Sequence, residues 1–119
     1  IHAFLEERKA TVVYNEIQRE FAMLDEYPTI EEQYINYTHP YSASFRFEKA
    51  IAEIKKRNVD GIIHYVQSFC HRQLEDIILR RLLESKGLNI PLLTLEFDKP
   101  SNKIDARVAT RIEAFLETI

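Results

Sequence analysis

Two short apolar runs constrain the fold of this chain more than any other feature of its sequence. Ile62–Val66 and Ile90–Leu95 are of strand length, rich in branched side chains, and each is followed by a segment with helical periodicity. A strand that returns to the same sheet through a helix pairs in parallel with the first strand. Both runs are nearly all apolar, as expected for strands that helices cover on both faces. The sequence therefore predicts a small Rossmann-like α/β unit with three layers, in which helices flank a short parallel sheet.

Three helices are predicted around this sheet, over Ser44–Arg57, Arg72–Lys86 and Asp105–Glu117. Ser42 or Ser44 can cap the first helix, and Gly87 is placed to end the second. The spacing of apolar residues predicts one buried stripe on each helix. The stripes consist of Phe47, Ala50, Ile51 and Ile54 in the first, Leu74, Ile77, Ile78 and Leu82 in the second, and Val108, Ile112, Phe115 and Leu116 in the third.

The first forty residues have a weaker pattern. A helix is predicted over Ala10–Leu24, with a possible extension toward Ile1, and Tyr34–Thr38 is interpreted as a short strand or an ordered loop that His39-Pro40 ends. The buried stripe predicted for this helix consists of Ala10, Val13, Ile17, Phe21 and Leu24. We expect one domain over residues 1–119, with an N-terminal helix and loop over 1–40 and a core over 44–119. Because the chain begins with Ile1 rather than Met, we expect it to be part of a longer protein.

Composition excludes several classes of function. With 16 basic and 19 acidic side chains the net charge is −3, which argues against a sequence-independent nucleic-acid binder. No apolar run reaches the roughly 18 to 20 residues of a membrane span. The single cysteine, Cys70, excludes an internal disulfide framework and a self-contained multi-cysteine metal site. Two glycines, Gly61 and Gly87, are too few for a glycine-rich phosphate loop.

The carboxyl ends of the two predicted strands are where a ligand would gather in an open parallel sheet. Gln67–Arg72 and Glu96–Asp98 follow the strands there. Cys70 would lie at the start of a helix, where the thiolate is favoured and becomes a better nucleophile or metal ligand, and His71 and Arg72 would add positive charge. Alternatively, Cys70 is a small buried apolar residue. A thiol-dependent enzyme that pairs Cys70 with His71 is a weaker option, because adjacent residues at a helix start point apart.

Histidine and acidic side chains offer further candidates. His64 lies within a strand, which favours a hydrogen-bonded core histidine over a ligand, and His39 is interpreted as a loop residue. Glu96 and Asp98 could position a substrate. Asp98 could instead cap the last helix, as could Asn102 or Asp105.

Two arginines one helical turn apart, Arg107 and Arg111, could bind a phosphate or carboxylate. They could equally pair with Asp105 or Glu113 on a solvated face. The sequence leaves both possibilities open.

Three stretches together carry a family resemblance: Val59–Asp76, which includes the Phe-Cys pair at Cys70; Pro91–Asp98; and Asp105–Glu117. They resemble the 2-hydroxyacyl-CoA dehydratase and benzoyl-CoA reductase family, and more closely the related C-terminal region of large CoA-substrate-specific enzyme activases. The resemblance covers residues 44–119 well and the first forty poorly. The chain departs from the family pattern at Phe97, where relatives carry glycine, and at 99–102, where their glycine-bearing loop is absent.

The resemblance implies a Rossmann-like domain of a protein that handles low-potential electrons. In such dehydratase subunits a [4Fe–4S] cluster is held by cysteines from more than one domain, and Cys70 matches one ligand position. An ATP-hydrolysing activator delivers one electron, and a CoA thioester is converted to a ketyl radical. The resemblance also makes Gln67, Ser68, His71 and Arg72 neighbours of the cluster, and Glu96, Asp98, Arg107 and Arg111 candidates for the substrate edge.

The implied partners are the remainder of the polypeptide, a partner subunit or electron-transfer activator, and a CoA thioester, with neither nucleic acid nor membrane. The resemblance implies oxygen-sensitive chemistry and a cytoplasmic location, and the isolated chain is expected to be inactive. An alternative function is a non-catalytic docking domain in which Cys70 is structural.

Overall fold

A computed structural model describes residues 1–37, 43–98 and 103–119 of the chain. These residues divide into two compact units, one formed by Ile1–Thr11 with Val59–Ile119, and one formed by Val12–Asn58. The single domain expected over residues 1–119 stays a prediction.

The larger unit contains a parallel pair of strands, β1 (Ile62–Gln67) and β2 (Leu92–Phe97). Their register pairs Ile62 with Leu92 and Gln67 with Phe97. Pro91 lies just outside β2, where its missing N–H costs no ladder bond and its carbonyl accepts the Ile62 N–H at 2.9 Å. The predicted α/β class and the parallel pairing are confirmed, with β2 displaced by two residues toward the C-terminus.

The connection between the strands is a 3₁₀ helix (His71–Glu75) followed by α5 (Asp76–Ser85). The sequence predicted a single helix from Arg72. The prediction of its buried residues is wrong, because Leu74, Ile77 and Ile78 are exposed and Leu82 is half-buried. The buried residues are Leu79 and Leu83. Asp76 contacts both strands and lies on the same helical face as these two leucines, so this polar contact fixes the rotation of α5. Gly87 ends the helix as predicted, with φ +68°.

The last helix, α6 (Ala106–Leu116), agrees with the prediction. Asp105 caps it by accepting the Arg107 N–H at 2.8 Å, and this hydrogen bond lowers the pKa of Asp105. Ile112 and Phe115 are buried as predicted, while Val108 and Leu116 are half-buried. A short first helix, α1 (His2–Glu6), buries Leu5, and Arg8 just beyond it pairs with Glu113 at 2.6 Å.

The smaller unit contains α2 (Glu16–Ala22), α3 (Ile30–Tyr37) and α4 (Ala43–Arg57). The helix predicted over Ala10–Leu24 is therefore too long, and its apolar stripe is wrong, since Ile17, Phe21 and Leu24 are exposed. Asn15 starts α2 by accepting the Gln18 N–H at 3.1 Å.

The inward face of α2 is acidic. Glu20 is buried, and Glu16, four residues earlier, pairs with the buried Arg46 at 2.8 Å. Because these side chains lie about one turn apart, their ion pairing turns the apolar residues of α2 away from the unit. The spacing of apolar residues in the sequence gives no sign of this orientation of α2.

The segment interpreted as a strand or loop at Tyr34–Thr38 is helical up to Tyr37, so that interpretation is wrong. Thr29 accepts the Glu32 N–H at 3.2 Å, and the Thr-x-x-Glu spacing is that of a capping box, a signal the sequence does carry. Tyr37 is fully buried. Thr38, His39, Pro40 and Ser42 lie outside the described residues.

The predicted helix over Ser44–Arg57 is confirmed as α4, with Phe47, Ala50, Ile51 and Ile54 buried. Lys49 of α4 is half-buried and donates to the Asn36 carbonyl oxygen at 2.7 Å. That carbonyl is in the last turn of α3, so the lysine satisfies a helix end that has no intrahelical donor. Burial, and then the charge of Arg19, lower the pKa of Lys49.

We predict that Gly61→Ala destabilises the chain by about 1–3 kcal/mol, because the added methyl group overpacks the core. A Cβ at this position would lie 2.7 Å from Phe115 Cζ and 3.1 Å from Ile119 Cδ1. Urea denaturation measures the loss. The cost of Gly61→Ala should shrink in a Phe115→Leu background, and an equal cost in both backgrounds would contradict the contact.

Tyr14 provides a pH prediction. Burial, and then the charge of Glu16, raise its pKa to about 12. Unfolded tyrosine ionises near pH 10. The contribution of neutral Tyr14 to the free energy of unfolding is therefore fully present below about pH 10 and is lost as the pH rises through about 12. The measurement is the difference in urea midpoint between Tyr14→Phe and the unsubstituted chain, taken at pH 8 and at pH 11. This difference should move in favour of Tyr14→Phe at pH 11, because phenylalanine cannot ionise in the unfolded state. An unchanged difference between the two pH values would refute the assignment.

Candidate functional site at the carboxyl end of the strands

Cys70 lies in a tight turn directly after β1. Its N–H donates to the Gln67 carbonyl oxygen at 3.0 Å, and its own carbonyl accepts the Gln73 N–H at the same distance. The residue is half-buried and caps the 3₁₀ helix from an extended conformation. The prediction that Cys70 marks a strand-to-helix corner is confirmed. The corner leads into a five-residue 3₁₀ helix and not directly into an α-helix, so a helix dipole contributes less there than expected.

Phe69, next to Cys70, has an unusual conformation. Its φ of +64° is in the left-handed region, which a bulky residue rarely adopts. The residue is fully exposed. Gln67–Cys70 is a four-residue turn whose third position normally carries glycine or asparagine when φ is positive. Sequence reasoning missed this strain, because a Phe-Cys pair gives no local signal for it.

The residues predicted to surround Cys70 are brought to the same turn. Ser68 extends the strand pairing, since its N–H donates to the Phe97 carbonyl oxygen at 2.8 Å. Gln67 ends β1 with an exposed side chain, and His71 is the exposed first residue of the 3₁₀ helix. Arg72 Nη1 lies 3.5 Å from both carboxylate oxygens of Glu75. Glu75 therefore offsets part of the positive charge that Arg72 was predicted to add.

The residues predicted at the substrate edge are placed differently from one another. Glu96 in β2 and Asp98 just after it are exposed near the carboxyl end of the sheet. Arg107 has a side chain that is 92% exposed and lies 3.4 Å from the Asp105 carboxylate, one of the two possibilities left open by the sequence. Asp105, and not Asp98, caps α6.

Arg111 lies against the middle of β2, where it donates to the Thr94 carbonyl oxygen at 2.9 Å. Arg80 of α5 donates in the same way to the Leu92 carbonyl oxygen at 3.2 Å. In a parallel pair alternate carbonyls face the neighbouring strand, and Pro91 and Phe97 accept from β1. The carbonyls of Leu92 and Thr94 therefore belong to the outer edge of β2, and two guanidinium groups occupy it.

A polar cluster at the centre of the strand pair was missed by sequence reasoning. His64 and Thr94 are register partners, and the carboxylate of Asp76 contacts His64 Nδ1 with one oxygen and accepts the Thr94 hydroxyl with the other. The side chains of His64 and Asp76 are only 14% and 16% exposed. The interpretation of His64 as a hydrogen-bonded core residue is thus confirmed. The signal for Asp76 was weak, because its partners lie 12 and 18 positions away in the sequence.

The described residues contain no group of three or more histidine, cysteine or acidic side chains that could hold a metal ion. They also contain no helix long and apolar enough to cross a membrane. What the corner offers chemically is one half-buried cysteine on a fixed turn, with polar residues next to it in the sequence.

The described residues form a small α/β unit with a cysteine at the carboxyl end of its parallel strands. The chain matches the family described as "2-hydroxyglutaryl-CoA dehydratase, D-component" over residues 1–119, and it belongs to that family. The match includes the first forty residues, which the sequence resemblance covered poorly. No curated protein matches the chain.

We predict that Asp76→Ala destabilises the chain by about 1–3 kcal/mol, because it leaves two donors of low solvent exposure without their acceptor. Chemical denaturation monitored by circular dichroism measures the loss. Glu84→Ala on the same helix removes an exposed carboxylate and should change stability by less than about 0.5 kcal/mol. Equal losses of stability in both variants would show that the contacts of Asp76 with His64 and Thr94 do not stabilise the fold.

Proposed function

We infer that this chain supplies one thiolate ligand, Cys70, to a [4Fe–4S] cluster of a 2-hydroxyacyl-CoA dehydratase component. The observation that carries this inference is the position of Cys70 on a half-buried turn at the carboxyl end of β1, within a chain that belongs to the dehydratase family. Ligands of open parallel sheets gather at this edge. The family is associated with an iron–sulfur cofactor.

The donor chemistry of the corner fits one ligand of such a cluster. A [4Fe–4S] cluster takes cysteine thiolates, and the chain has one cysteine. Three further ligands must therefore come from outside this sequence, which agrees with a cluster held by cysteines of more than one domain. When bound, the cluster would accept and pass on one electron at low potential.

The residues of this chain would hold and orient that sulfur. The Gln67 carbonyl and the Gln73 N–H fix the Cys70 backbone from both sides. The first N–H groups of a helix have no intrahelical acceptor, so those of His71 and Arg72 suit a negatively charged group beside Cys70. Gln67 and Ser68 are the other polar residues of the turn, and such neighbours tune a metal site by hydrogen bonding.

Family membership supports a proposal for the wider reaction. We propose that the electron reaches the cluster from an ATP-hydrolysing activator and that the substrate is a CoA thioester, with Glu96, Asp98, Arg107 and Arg111 as substrate-edge candidates. All four are exposed in the described structure, and Arg111 also donates to the Thr94 carbonyl oxygen. A place in the C-terminal region of a large activase is the variant of this proposal that the sequence resemblance favours. A cytoplasmic location belongs to the same proposal.

A docking domain with a structural cysteine is the second candidate function. The observation that favours it is the number of exposed apolar side chains on α2 and α3, which include Ile17, Phe21, Ile30 and Ile35. Exposed apolar surface of this kind commonly marks an interaction face. In this case the protein would bind its partner without contributing to a cluster.

The test is Cys70→Ser in the complete dehydratase component, reconstituted anaerobically with iron and sulfide. We expect a large loss of iron and acid-labile sulfide, and of the electron paramagnetic resonance signal after reduction, because serine replaces the thiolate ligand. Gln73→Ala, which keeps the backbone N–H that binds the Cys70 carbonyl oxygen, is the matched control and should keep most of its cluster.

Full cluster content in Cys70→Ser would reject the ligand assignment and favour the docking domain. Equal losses in Cys70→Ser and Gln73→Ala would attribute the effect to disruption of the turn.

A further inference from the structure

Tyr65 and Phe97 form a stacked ring pair on one face of the two strands. Their ring centroids are 4.5 Å apart and their ring planes differ by 13°. The two residues are diagonal neighbours, since Tyr65 pairs in register with Leu95 and Phe97 with Gln67. Phe97 therefore covers one face of the Tyr65 ring and fixes its orientation.

The exposed surface of Tyr65 is on the side of its ring that faces away from Phe97. The residue is 45% exposed although it lies within β1, and stacking on Phe97 covers only one side of the ring. A ring that is already held in place loses little conformational freedom when a second planar group stacks on it. The pair is therefore a preformed surface for a flat aromatic ligand.

Gln67 supplies a polar group beside this surface. Side chains alternate along a strand, so Gln67 lies on the same face as Tyr65, about 7 Å further along β1. The residue is exposed, and its amide offers both donors and an acceptor. Those groups match the N6 and N7 edge of adenine, which glutamine binds with two hydrogen bonds. Glu96, the one carboxylate in the two strands, projects from the opposite face.

We propose that Tyr65 and Gln67 bind an adenine nucleotide, with the base stacked on the free face of Tyr65 and with Phe97 supporting the ring from the other side. Stacking alone does not distinguish among bases, because every base has a π-face. The Gln67 amide then selects adenine over guanine, which presents two acceptors and no donor at the corresponding edge.

Adenine occurs both in CoA and in ATP. The adenine site itself depends on the contacts of Tyr65, whereas its assignment to the CoA thioester rests on the proposed function. It adds a base-binding group to the charged substrate-edge candidates Glu96, Asp98, Arg107 and Arg111.

The experiment measures the binding of AMP, GMP, CoA, ATP and pantetheine to the complete dehydratase component by isothermal titration calorimetry. The variants are Tyr65→Leu, Tyr65→Phe and Gln67→Ala. Leucine keeps an apolar side chain over Phe97 but presents no aromatic face, and phenylalanine keeps that face. Tyr34→Leu is the control, because it removes a tyrosine of similar exposure, 50%, from α3. Circular dichroism establishes that each variant folds.

We expect Tyr65→Leu to weaken AMP binding by about fivefold or more, because the stack between base and aromatic ring is lost. Tyr65→Phe and Tyr34→Leu should bind AMP like the unsubstituted protein, and Gln67→Ala should lose the preference for AMP over GMP. Tighter binding of CoA than of ATP would assign the site to the substrate, and the reverse order would assign it to ATP. Both orders support an adenine site.

An absence of AMP binding, or equal AMP binding by Tyr65→Leu and the unsubstituted protein, would overturn the proposal. So would binding of pantetheine in preference to AMP. If Tyr65→Leu does not fold, Gln67→Ala decides the question, and an unchanged preference for AMP over GMP in that variant rejects the site.

The two proposals fail separately, because Cys70→Ser reports on the cluster and Tyr65→Leu reports on the nucleotide. Full cluster content in Cys70→Ser, together with weakened AMP binding in Tyr65→Leu, would reject only the ligand assignment. Loss of the cluster in Cys70→Ser, together with unchanged AMP binding in Tyr65→Leu, would reject only the adenine site.

Discussion

The carboxylate of Asp76 is the contact on which the α/β unit depends. It joins the first residue of α5 to His64 in β1 and to Thr94 in β2, so one side chain connects the helix to both strands. A carboxylate of low solvent exposure is tolerated only when donors satisfy its oxygens, and here each oxygen has one. The contact also sets the rotation of α5, which decides that Leu79 and Leu83 enter the core. The 3₁₀ helix His71–Glu75 connects the turn at Cys70 to Asp76, the first residue of α5.

The sequence predicted those parts of the fold that local patterns determine. The two strands, α4 and α6 follow from apolar runs and helical spacing within a few residues. The rotation of α5 and the inward face of α2 depend on Asp76 and on the Glu16–Arg46 pair, whose partners lie far apart in the sequence. Periodicity cannot reveal such pairs. The helix α3 is a different case, because the capping box at Thr29 and Glu32 was present in the sequence.

The same division applies to the candidate site. That Cys70 follows a strand and precedes a helix could be predicted from the order of elements. The strained conformation of Phe69, the proximity of Arg72 to Glu75 and the contact of Arg111 with the Thr94 carbonyl could not, because they depend on backbone angles and distances that folding sets. Membership of the dehydratase D-component family gives the thiol a chemical context. The turn around Cys70 supplies the physical basis for testing it.

The guanidinium groups of Arg80 and Arg111 restrict how this sheet can grow. A new strand can join β2 only by displacing both of them from the carbonyls of Leu92 and Thr94, and the charged side chains would have to find other partners. Natural proteins use charge in this way to prevent unwanted pairing at sheet edges. An incoming strand would therefore meet the backbone of Ile63 and Tyr65 on β1, an uncharged segment of the sequence. The two edges of the strand pair therefore differ, and β1 is the edge at which a further strand can pair without displacing a guanidinium group.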